Sequence, residues 1–207
     1  GLLNANVQYW YNATIYDIAN NYNQTETRYI TLTSNNPPTI PFVDVISPTD
    51  PSIGSTKSIT FNYTATDTNG MSDIDNNTAT AYFQRTGEST RSNTSCAPRN
   101  ASTDSITFTC TIDMWYYDQN GAWTINATIK DNSAAYAENS STTFTYNLLT
   151  AIVMSPNAIN WPQINLPDTN IGSNDDPITI NNSGNDEPMN INVTALNLRG
   201  ETTTTQY

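Results

Sequence analysis

Three stretches of this chain alternate apolar side chains with Thr, Ser or Asn, the period of two that a strand shows when one face is buried and the other is wet. Within 57–66 the inward positions are Ile59, Phe61, Tyr63 and Ala65. Within 105–114 they are Ile106, Phe108, Cys110, Ile112 and Met114, and within 123–129 they are Trp123, Ile125, Ala127 and Ile129. Turn chemistry separates these runs at Asn36-Pro37-Pro38, Pro48 to Gly54, Asn69-Gly70, Asn120-Gly121 and Asp131-Asn132-Ser133. No segment carries an apolar stripe of helical period. Short strands punctuated by turns about every eight to twelve residues predict an all-β chain of two-sheet antiparallel β-sandwiches.

The pattern also repeats. YWYNATIYD (9–17) returns as WTINATIKD (123–131), at a constant offset of 114 residues and without a gap. Asn12, Ala13, Thr14, Ile15 and Asp17 match Asn126, Ala127, Thr128, Ile129 and Asp131; beyond them Tyr22 matches Tyr136 and Thr31 matches Thr145. Each copy predicts a strand, a turn at the Asp, and a second strand over 28–33 or 142–149. A long strand-like stretch precedes Trp123, whereas only eight residues precede Tyr9. The expected organisation is therefore the C-terminal strands of an incomplete sandwich domain in 1–36, a complete sandwich in 37–150, and the start of a further sandwich in 151–207. In that last part ITINNSGN (Ile178–Asn185) and NINVTALNL (Asn190–Leu198) read as two strands about a polar loop. The two ragged ends have a second explanation: they complete each other by strand addition, within one chain or between neighbours in a filament.

Composition narrows the function. Charged residues make up 13% of the chain, while Thr (34), Asn (30) and Ser (17) supply the polar surface, so hydration comes from uncharged groups. Twelve Tyr and four Trp add the apolar area that the scarce aliphatic residues lack. Seven basic residues against 19 acidic ones leave no patch to neutralise phosphates, which excludes nucleic acid as a partner class. No run approaches the length of a membrane span, and Gly1 to Asn6 lack the pattern of a signal peptide. With no His, neither Ser-His-Asp or Cys-His catalysis nor an ordinary zinc site can be built, and no enzyme is expected.

Two runs carry a family resemblance. YYDQNGAWTINATIKDNS (116–133) looks like the late strands of polycystic-kidney-disease (PKD) and cadherin-like Ig folds, in which an aromatic and a turn Gly precede a strand ending in Asp. TATDTNGMSDID (64–75) is similar to the early loop of such repeats on archaeal cell-surface glycoproteins. The resemblance implies that the sandwiches are tandem immunoglobulin-like antiparallel β-sandwiches of an extracellular structural or adhesive protein, as in an S-layer, an adhesin or a surface filament, whose partners are copies of itself or other surface proteins. It also implies that Asp131 and Asp17, ending equivalent strands, contribute ligands between domains.

Candidate chemistry is sparse. Asp67, Asn69, Asp73 and Asp75 alternate oxygen side chains around Gly70, the donor type that Ca²⁺ takes from flexible loops, although no Glu closes the run as in an EF-hand. Asp and Asn also suit turns by bonding their own backbone, and that explanation stands beside the metal one. Cys96 and Cys110 are spaced for a disulfide closing a modest loop, or for two buried thiols. Asn-x-Ser/Thr sequons for N-linked glycans occur at Asn12, Asn23, Asn62, Asn76, Asn93, Asn100, Asn126, Asn139, Asn181 and Asn192. In a chain this rich in Asn, Ser and Thr, about seven would arise by chance, so position matters more than number. Trp10, Trp115, Tyr116 and Trp161 are candidates for a carbohydrate- or partner-binding surface, or for packing between sheets.

Overall fold

The computed structural model describes residues 3–165, 167–175 and 177–194. At the N-terminal end, β1 (Gln8–Tyr11) pairs with β4 (Arg28–Thr31), and β2 (Thr14–Tyr16) pairs with β3 (Tyr22–Gln24). Together they form one antiparallel hairpin with its turn at residues 17–21.

The next eight strands make a sandwich of two four-stranded antiparallel sheets. They are β5 (Thr39–Val43), β6 (Thr56–Thr66), β7 (Ile74–Gln84), β8 (Arg91–Asn93), β9 (Ala97–Ala101), β10 (Ser105–Trp115), β11 (Gly121–Asp131) and β12 (Tyr136–Tyr146). One sheet has the order β5-β6-β10-β9 and the other β12-β11-β7-β8. Relabelled in chain order as A, B, C, C′, D, E, F and G, these are sheets A-B-E-D and G-F-C-C′, the immunoglobulin arrangement with one extra edge strand. After β5 the chain switches sheets, where Thr49 bridges in parallel to Tyr146.

Every inward position expected in the three alternating runs is buried. The two faces meet where Phe83 lies 5.4 Å from Phe61 of the facing sheet, and Phe144 of its own sheet packs 4.6 Å from it, ring centre to ring centre. Buried polar tips find partners, since Tyr63 Oη donates to Thr128 O (3.0 Å) and Trp123 Nε1 to Gln119 O (2.9 Å). Burial without a charged partner pushes the Tyr63 hydroxyl far above its usual pKa.

Beyond the sandwich, β13 (Ile152–Ser155) pairs with β14 (Thr179–Asn182). The strand expected over Ile178–Asn185 is shorter because Ser183, Gly184 and Asn185 leave the ladder and bury themselves against the sandwich. Asn185 Nδ2 donates to Asp118 O and Asn147 O (both 3.0 Å), and its Oδ1 accepts from Leu149 N (2.7 Å). Only glycine fits at 184, because a Cβ there would sit 2.0 Å from Leu149 O. The strand expected over Asn190–Leu198 is not formed at 190–194, and 195–198 lie outside the described residues.

Candidate cation site

The loop joining β6 to β7 carries the chain from one sheet to the other, and its backbone is held at both ends. Asp67 N donates to Asp104 O (2.9 Å) beside β10, and Asp67 Oδ1 accepts from Asn69 N (2.7 Å), an Asx turn. Gly70, at φ 105°, reverses the chain into a single 3-10 turn over Met71–Asp73. That turn sets Asp73 immediately before β7. Because Ile74 is the register partner of Asp131 across the β7–β11 ladder, the end of β11 arrives at the same place. Asn132 locks the junction, donating from its N to Asp73 O (2.7 Å) and from Nδ2 to Ser72 O (2.9 Å).

Asp67, Asp73 and Asp131 thus each place a carboxylate oxygen within 4.8 Å of the other two. Asp67 and Asp131 are each 2% exposed, and Asp73 is half-buried. Asp131 is well bonded: Oδ1 accepts from Ser133 N (2.9 Å) and Ala135 N (2.7 Å), and Oδ2 from Asn35 Nδ2 (2.7 Å). Asp67 Oδ2, by contrast, is buried with no hydrogen-bond partner. Among the described residues the salt bridges are Arg28–Glu26 and Arg91–Asp118, and neither reaches the cluster. Desolvation, then repulsion from Asp67 and Asp131, holds the Asp73 carboxyl above the usual carboxylate range. An orphaned buried carboxylate oxygen beside two further carboxylates fits a hard cation with an all-oxygen shell, since such a charge satisfies the orphan and cancels the repulsion.

The segment leading into β5 is tied to this cluster. Besides Asn35, Asn36 N donates to Asn69 Oδ1 (2.7 Å), and Asn69 Nδ2 donates to Ser34 O (2.9 Å). Asn69 therefore holds the linker with both ends of its amide. Asp75 stands apart from the cluster, its Oδ1 accepting from Asn77 N (3.1 Å) and Nδ2 (3.2 Å) in a strand irregularity. Asp17 lies in the turn of the N-terminal hairpin, where Oδ1 accepts from Ala19 N and Asn21 N (2.9 Å each) and Oδ2 from Asn21 Nδ2 (2.8 Å). Those bonds, led by Asn21, hold its pKa below the usual value. Asp131 joins Asp67 and Asp73 inside one sandwich, whereas the resemblance implied a ligand between domains.

Cys96 and Cys110 are bonded as a disulfide, with Cα atoms 4.6 Å apart. It joins the β8–β9 connection to β10 inside the core. The aromatic candidates do not converge: Trp10 packs on Tyr29 in the hairpin, whereas Trp115 stacks on Tyr117, which meets Tyr116 edge-on. Of the sequon asparagines, Asn12, Asn23, Asn76, Asn100, Asn181 and Asn192 are exposed, while Asn62, Asn93, Asn126 and Asn139 are partly buried. Sequence reasoning missed Asp118, fully buried, which pairs with Arg91 and accepts from Trp115 N (2.7 Å) through Oδ2. Its only signal was an Asp between two aromatic turns, which is ordinary loop composition.

No protein-family model matches the chain. No curated protein matches it. Among solved structures, the PKD domain of an M14-like peptidase from Thermoplasmatales archaeon SCGC AB-540-F20 is similar at 26% identity, over 55% of this chain and 97% of that one, with a TM-score of 0.28. Among the described residues, no helix is long and apolar enough to cross a membrane.

Proposed function

We propose that this chain is a structural segment of an extracellular surface protein, a series of Ig-like sandwiches that space or join other parts of an S-layer, adhesin or filament. The observation that carries this reading is the recurrence of one turn at the 114-residue repeat. Asp131 N donates to Ala135 O (3.0 Å) and Asp17 N to Asn21 O (2.9 Å); both carboxylates accept from backbone N–H groups two and four residues on; and Ala134 and Asn20 share φ values of 65° and 64°. Matching sequence with matching local geometry at a fixed spacing is the mark of a tandem array. A disulfide in the core and a polar, weakly charged surface suit an oxidising, extracellular setting.

In the same reading, Asp67, Asp73 and Asp131 hold a Ca²⁺ ion, which stiffens the joint through the Asn35 and Asn69 tethers. Intact mass measurement of the native protein, with and without deglycosylation, followed by sedimentation, tests the function. A glycosylated multidomain chain at the cell surface is the expected result; a bare intracellular protein contradicts it. Polymers of a chain no longer than this one would favour strand complementation between copies instead.

A further inference from the structure

The ten sequons are equal in sequence, but the fold treats their side chains differently. An N-linked sugar replaces one of the two hydrogens on Asn Nδ2 and needs room beside it, so a partly buried amide held at both nitrogen and oxygen by strand neighbours is fixed against the sheet with little room to carry one. Three sequons of the sandwich are in that state. Asn62 Nδ2 donates to Asp44 Oδ2 (2.8 Å) while its Oδ1 accepts from Thr109 Oγ1 (2.7 Å), across three strands of one sheet. Asn93 Nδ2 donates to Thr111 O (2.9 Å) and its Oδ1 accepts from Ser95 N (2.8 Å), tying the disulfide-bearing connection to β10. Asn139 Nδ2 donates to Ile40 O (2.8 Å), joining β12 to β5, and its Oδ1 accepts from Ser141 N (2.9 Å).

Asn76 and Asn100 differ. Both are exposed, and neither side-chain amide forms a hydrogen bond among the described residues. Asn100 lies on β9, an edge strand exposed along its whole length, and its Ser102 is exposed in the loop that follows. Thr78, the hydroxyl residue of the Asn76 sequon, is already bonded, accepting from Lys130 N (2.8 Å) and donating to Asp75 O (2.8 Å). In the folded chain Asn76 thus keeps a free, exposed amide beside an engaged hydroxyl, whereas Asn100 has both a free amide and an exposed Ser102. Asn126 belongs to neither group, because its Oδ1 is buried yet unbonded.

We propose that, within the sandwich, N-linked glycans sit on Asn100 and Asn76, and that the amides of Asn62, Asn93 and Asn139 are structural and bare. This rests on the extracellular reading above. The Asn100 glycan then has a physical task. β9 presents unpaired backbone donors and acceptors along an open sheet edge, and a bulky hydrated sugar there blocks pairing with another chain.

The test is peptide mapping by mass spectrometry of the protein purified from its own cells. Sugar on the Asn100 and Asn76 peptides, with none on those of Asn62, Asn93 and Asn139, is the expected result. Sugar on any of those three, or a bare Asn100, overturns the assignment while leaving the extracellular reading intact. A protein bare at all ten sequons overturns both. As a second measurement, Asn100→Gln should remove one glycan, keep the melting temperature, and raise self-association in sedimentation. Unchanged association would overturn the edge-shielding role.

Discussion

Two hairpins in this molecule share the matching stretches 9–17 and 123–131. Their turns share the backbone N–H bonds to the Asp, although Oδ2 accepts from Asn21 in one and from the distant Asn35 in the other. Their strands differ: β11 runs unbroken from Gly121 to Asp131, whereas its counterpart is split into β1 and β2. Their inward faces differ more. Ile129 is fully buried and its counterpart Ile15 is 74% exposed; Phe144 is 3% exposed and its counterpart Ile30 is 50%. The turn is thus a local property, fixed by an Asp accepting backbone N–H groups and one residue in the left-handed region. Strand continuity and burial are tertiary properties, which β11 and β12 owe to β7 and to the facing sheet.

The largest expected effect breaks the comparison at its core. Ile129→Ala should cost about 2–5 kcal/mol in urea unfolding, the range for truncating a buried aliphatic chain. Ile15→Ala should stay within about 0.5 kcal/mol. Equal costs would mean that the N-terminal hairpin is covered in solution. Next, reducing the disulfide should destabilise the sandwich by about 3 kcal/mol through the freed loop. Hydrogen exchange in residues 8–31 should not change, and loss of protection there would show that the hairpin depends on the sandwich core.

A smaller effect separates the two turn regions electrostatically. Without divalent cations, Asp67→Asn should raise stability at neutral pH slightly, because it relieves repulsion on Asp73. A loss of stability would mean that the Asp67 charge is already compensated. The smallest effect is the pH dependence. The raised pKa of Asp73 gives a contribution that is complete below the ordinary carboxylate pKa of about 3.9 and is lost as pH rises through the raised value. The lowered pKa of Asp17 gives one that is present above the ordinary value and lost as pH falls through the lowered one. Melting curves of Asp73→Asn and Asp17→Asn against pH should therefore depart from the parent in opposite directions. Parallel curves would contradict the assignment.

How much of this was legible depended on whether the signal was local. Alternation in 57–66, 105–114 and 123–129 gave the buried faces of β6, β10 and β11, because large apolar side chains mark every second position. β7 was hidden: between Ile74 and Phe83, the large buried residues near its ends, its inward set is Ala79 and Ala81, too small to stand out from the Thr and Asn around them. The Asp67-Asn69-Asp73-Asp75 run marked a loop where carboxylates gather but not which ones gather. Asp131 enters through the register of two strands far apart in sequence, while Asp75 turns to its own strand irregularity. The docking of Asn185 on Asp118 and Asn147 had no sequence signal, since an Asn in a polar turn looks the same whether it meets water or a buried carbonyl.

The most direct measurement is thermal unfolding of the parent chain and Asp67→Asn during a Ca²⁺ titration at neutral pH. Binding at Asp67, Asp73 and Asp131 predicts a parent midpoint that climbs with Ca²⁺, by the equivalent of about 2.7 kcal/mol at a hundredfold excess over Kd, while the variant stays flat. A parent midpoint unchanged up to about 10 mM Ca²⁺, well above the range of extracellular modules, would contradict the cation site and leave Asp67 Oδ2 a buried charge that the fold simply tolerates.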